Sequence, residues 1–150
     1  MRKYIFFILL LATCSCKNDL VKDVDKIEGT WYLKEMTYYH NDSIVEPQLE
    51  TPSLLILGKR RGNGYESIPA TQIIKSDTFK FTFVIGGSQI INLQMPRSVS
   101  DRLPVTGVGR VQGYRYHFIS KNMLELSIDK EFNNQNNELY SDLTYLYQRK

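Results

Sequence analysis

Residues 78–85 read TFKFTFVI. Phe79, Phe81, Phe83 and Ile85 recur at every second position, and Lys80, Thr82 and Val84 fill the places between. A strand sends alternate side chains to opposite faces, so this spacing puts all four apolar groups on one side of a sheet. A slip of one residue would turn the whole set toward water, so the pairing register is strongly specified. Gly86-Gly87-Ser88 follows as a hairpin turn, and residues 89–95 (QIINLQM) return. The core of this chain is therefore expected on one face of an antiparallel sheet.

The same habit runs through the rest of the chain. Residues 30–39 (TWYLKEMTYY), 53–57 (SLLIL), 72–75, 114–119 (YRYHFI), 123–129 and 139–149 each read as a strand. Asn41-Asp42-Ser43, Gly58 to Gly64, Lys121-Asn122 and the polar run 133–137 (NNQNN) read as turns or loops. Pro96 to Pro104 reads as a polar loop, and the glycines of 105–111 suit a bend in a curved sheet. That gives about eight or nine short antiparallel strands with no room for crossover helices. The expected fold is all-β, an antiparallel up-and-down β-barrel of about eight strands. An immunoglobulin-like β-sandwich is the alternative, because strand number alone does not separate the two. Pairing of the first strand with the last would decide for the barrel.

The N-terminus has a different character. MRKYIFFILLLATCSC places Arg2 and Lys3 before a short apolar run and then both cysteines of the chain. The run, Tyr4 to Ala12, is too short to cross a bilayer core of ~30 Å as a helix. Charged start, short apolar middle and small residues at the cut are the layout of a secretory signal. It resembles the lipobox of bacterial lipoproteins, which implies that Cys16, with Cys14 as the alternative, is acylated and becomes the mature N-terminus. Residues 1–16 then form the signal, 17–27 a tether and 28–150 the folded domain. In the tether, Leu20, Val24 and Ile27 are spaced for a short helix. Its sparse apolar groups and alternating charges favour a solvated linker. Asp19, close to the lipidated end, resembles the surface-export signals of some Bacteroidetes lipoproteins.

Processing at Cys16 leaves no other cysteine in the mature chain, which excludes disulfides, thiolate zinc sites and cysteine nucleophiles there. Without Arg2 and Lys3, the 19 basic residues become 17, against 16 acidic. No broad positive field remains to attract nucleic acid.

Ile27-Glu28-Gly29-Thr30-Trp31-Tyr32-Leu33 resembles the Gly-x-Trp start of lipocalins, in the form found on short lipocalin-like domains of bacterial lipoproteins. The resemblance implies that Gly29 lets the chain bend into a barrel and that Trp31 plugs the closed end. A basic residue near the last strand would cover the indole, here Arg149 with Lys150 as fallback. The resemblance also implies binding of a small apolar or amphipathic molecule in the lumen.

The inward phase offers Phe79, Phe81, Phe83, Tyr116, Phe118 and Leu126 as ligand-lining residues, with Ile85, Leu124 and Ile128 in register beside them. Side chains of these types also fill small barrels outright. His40 and His117, the only histidines, have no partner at ligand or triad spacing. The carboxylates are scattered, and no phosphate-loop or nucleophile-elbow frame is present. No enzyme activity, metal or cofactor is expected. Lys59, Arg60 and Arg61 form a basic turn tip, read as solvated, or as a contact for anionic lipid. The expected function is a lipid-anchored, envelope-located binding barrel. The alternative is a non-catalytic interaction module of the envelope.

Overall fold

A computed structural model of the chain describes residues 19–40, 43–46, 49, 53–61, 66–87, 89–103, 113–128 and 143–150. Cys14 and Cys16, residues 105–111 and the NNQNN run lie outside these residues. The chain opens with helix α1 (Asp19–Ile27), followed by strands β1 (Gly29–His40), β2 (Ser43–Val45), β3 (Ser53–Leu57) and β4 (Ile68–Ile74). Next come β5 (Asp77–Gly86), β6 (Ile90–Gln94), the short helix α2 (Arg97–Ser100), β7 (Gly113–Ser120), β8 (Met123–Ile128) and β9 (Thr144–Arg149).

Every pairing is antiparallel, and from β3 to β9 each strand neighbours the next in sequence. β1 then pairs with both β3 and β9, from Gly29↔Leu57 to Tyr32↔Leu54 on one side and from Trp31↔Arg149 to Thr37↔Thr144 on the other. The sheet closes into an eight-stranded, lipocalin-like up-and-down barrel, and the sandwich alternative is set aside. Among the described strands, closure leaves no long raw edge for another chain to pair with. β2 is an extra strand on the far part of β1, in the register Tyr38↔Val45 to His40↔Ser43.

Alternation decides what faces in. Residues 53, 55 and 57 of β3, 68 to 74 of β4 and 79 to 85 of β5 are buried at every second place. β5 lies four strands from β9 around the closed order, so its phenylalanines look across the barrel toward Tyr145 and Tyr147. Fully burying side chains of this size contributes roughly 1.5–3 kcal/mol each before conformational entropy is set against it.

Three stretches differ from the sequence expectation. The tether read as a solvated linker is α1 over Asp19–Ile27, with Val24 and Ile27 buried against the barrel. Few apolar residues are needed, because the helix covers only one end of the barrel. The loop expected over Pro96 to Pro104 contains α2, and Leu103 beyond it is buried. β4 also begins earlier than expected, at Ile68. Pro69 turns its backbone toward Gly58, just past the last β3 pair at Leu57↔Ala70, so its missing N–H interrupts no strand pair with β3.

Candidate ligand-binding interior

One end of the barrel is closed by a tight set of contacts. The Trp31 indole N–H donates to the Ile27 carbonyl at 2.9 Å, tying β1 to the last turn of α1. Arg149 lies over the indole, its guanidinium carbon 4.3 Å from the ring centroid. One η nitrogen donates to the Glu28 carbonyl at 2.8 Å and the other to the carbonyl of Lys26. A cation on the carbonyl end of a helix also suits the helix dipole. Gly29 holds φ at +142°, and a Cβ there would stand 3.0 Å from an Arg149 η nitrogen. The structure thus brings Gly29, Trp31 and Arg149 together, and Lys150 is exposed.

Tyr116 reaches the same plug. Its hydroxyl donates to Asp23 on α1 at 3.0 Å. Burial, then that hydrogen bond and the Asp23 charge, raise its pKa well above the ordinary tyrosine value. Of the ligand-lining candidates, Tyr116 is therefore committed to holding the helix. Phe118 is half-buried beneath Lys26, whose ammonium stands 5.9 Å from its ring. It lines a cleft of about 490 Å³ with Asp25, Lys26, Ser120, Lys121 and Arg149. Phe81, Phe83 and Leu126 lie in the main apolar core.

Phe79 belongs to a second, smaller cluster at the other end. There Phe79, Ile74 and Leu103 pack with Met95 and Val99, and the Arg102 guanidinium stands 5.9 Å from the Phe79 ring. The segment 95–103 thus folds over the β4–β5 corner of the barrel. Met95 touches both clusters.

Between them lies a polar level. Gln72 faces inward at 0 % exposure, opposite Leu55 of the main core on one side and Phe79 of the smaller cluster on the other. Both Gln72 amide atoms are buried without a hydrogen-bond partner among the described residues. Ser53, paired with Ile74 and diagonal to Gln72, has its hydroxyl in the same condition. Apart from this level, the hydroxyl of Tyr147, in the main core and paired with Leu33 on β1, is also buried without a partner among the described residues. Burial, with the neighbouring Tyr114 hydroxyl second, pushes the Tyr147 pKa up and keeps it neutral. Ser53 and Gln72 escaped the sequence reading. The signal for both is a polar residue in the apolar phase of its strand: Ser53-Leu55-Leu57, and Ile68-Ala70-Gln72-Ile74.

The remaining candidates stand apart. His117 is exposed on the outer face of β7, and Lys59 and Arg61 are exposed beyond β3. No group of three His, Cys, Asp or Glu side chains converges among the described residues. No described helix is long and apolar enough to cross a membrane. No family model, no curated protein and no solved structure matches this chain.

Proposed function

We propose that this chain is a lipid-anchored envelope protein that holds a small amphipathic molecule inside its barrel. The observation that carries the reading is Gln72, fully buried, facing the lumen, with donor and acceptor both unanswered. An amide buried without a partner costs about 1–3 kcal/mol by protein mutational measures. A leucine would fill the same place without that cost. A polar side chain at this level is accounted for by a ligand that brings the missing hydrogen bonds. The aromatic core below Gln72 supplies the apolar half of the site, and the segment 95–103 lies over the corner above it. The anchor rests on the N-terminal pattern of residues 1–16, with Cys16 acylated.

The test is titration of the purified protein with N-phenyl-1-naphthylamine, a neutral dye that brightens in apolar surroundings. Saturable binding at one dye per chain is expected, with the dye displaced by lipid extracted from the native membrane. A linear, non-saturating signal would overturn the lumen as a site. A protein-contact role draws on a separate observation, Ile44 of β2, which is 61 % exposed on the strand that extends beyond the barrel.

A further inference from the structure

We infer that the barrel selects ligands by the charge of their head group, accepting a neutral hydrogen-bonding head, best a primary amide, and rejecting ionised ones. This rests on the lumen reading above and concerns the same polar level. The two groups without partners there are a carboxamide and a hydroxyl. Neither carries charge, and among the described residues no Lys, Arg, His, Asp or Glu belongs to the buried core; the enclosed Arg149 ε nitrogen is at the closed end, against Trp31.

The cations nearest in the fold are already engaged or remain in solvent. Arg149 is spread over the Trp31 indole and two backbone carbonyls. Lys26 pairs with Asp23 at 3.2 Å. Arg102, over the Phe79 ring, is exposed. A carboxylate or ammonium brought to the Gln72 level would shed its water and meet no counter-charge, the least favourable way to bury an ion.

A neutral head faces the opposite situation. The Gln72 side chain presents an N–H donor and a carbonyl acceptor side by side. A primary amide has the same pair in the complementary order, so two hydrogen bonds form at once. An alcohol has a single oxygen and satisfies one of the two Gln72 atoms at a time. The Ser53 hydroxyl adds a donor and an acceptor beside the Gln72 amide. Site polarity of this kind discriminates strongly, because a head that does not match leaves buried groups unpaired.

The experiment displaces N-phenyl-1-naphthylamine from the purified protein at pH 8 with four probes sharing one tail: dodecanamide, dodecan-1-ol, dodecanoate and dodecyltrimethylammonium. Dodecanamide is expected to bind at least about 100-fold more tightly than either ion, with the alcohol between. In Gln72→Leu the advantage of dodecanamide over the two ions should shrink at least about tenfold. Dodecanoate or the ammonium binding as well as the amide would overturn charge selection and leave the lumen reading standing. An undiminished amide advantage in Gln72→Leu would remove Gln72 from the site. Failure of the dye and all four probes would overturn both readings together.

Discussion

Replacing Arg149 by methionine tests how the closed end is held. The substitution keeps an unbranched apolar stem to lie on the indole and removes the guanidinium. It deletes the bond to Glu28, the bond to Lys26 and the cation over Trp31 at 4.3 Å. Hydrogen bonds to a charged group contribute about 1.5–3 kcal/mol each, and the half-exposed setting places these at the low end. The cation–π contact adds about 0.5–1 kcal/mol at such a site. Against these stands the Arg149 ε nitrogen, buried without a partner, whose desolvation costs about 1–3 kcal/mol. The net expectation is a loss of about 0.5–3 kcal/mol, centred on roughly 2, a large part of a usual total of about 5–15. For a chain of this size a loss of about 2 kcal/mol is a fall in Tm of about 4–8 °C. Urea unfolding followed by Trp31, the single tryptophan, reports on this end directly. Arg149→Lys keeps the charge over the ring but cannot span both carbonyls, and should lie about midway. A methionine variant within about 0.5 kcal/mol of the parent would show that the geometry contributes no net stability and that the plug is held by apolar contact alone.

Three further outcomes follow from the same structure. Gln72→Leu removes an unpaired amide and should raise stability by about 1–3 kcal/mol, read as a higher urea midpoint; a lower midpoint would mean that the amide is satisfied in the native protein. Gly58→Ala would place a methyl 2.6 Å from the Pro69 carbonyl oxygen that accepts the Gly58 N–H, and should cost about 1–3 kcal/mol; unchanged thermal unfolding would refute it. Tyr116 and Tyr147 have folded pKa values raised above the ordinary tyrosine value of 10.0. Their neutral forms therefore contribute stability that is complete below that pH and is lost as pH rises beyond it. Absorbance at 295 nm should show part of the ten tyrosines ionising only together with loss of the sheet signal; a single reversible titration with the sheet intact would contradict this.

Much of the barrel was legible because its strands alternate cleanly. Ser53–Leu57 was bounded correctly, and the Phe79–Ile85 phase gave the inner face of β5. The apolar phase of 143, 145 and 147 likewise marked the inner side of β9. α1 was harder to see, since a helix that covers one end of a barrel buries only a narrow stripe and keeps charges elsewhere. The spacing of Leu20, Val24 and Ile27 was its only trace. β2 has three residues and burial too slight to leave a pattern. The polar level was missed for a physical reason. Pattern reading rewards apolar residues at inward positions, so a glutamine or serine in that phase reads as an interruption. In a closed barrel such an interruption is where the interior has something to recognise.

The seam of the barrel joins β1 to β9, and the Arg149 bond to Glu28 spans 121 positions of sequence. A contact that distant forms slowly, because a long loop must be drawn shut before any gain is felt. Until β9 arrives, the remaining strands are a curled ribbon with two raw borders and no floor. Losing the final half-dozen residues would therefore do more than shorten the molecule: it would turn a vessel into an adhesive sheet, prone to join its neighbours along the borders that its own ends should have stitched together.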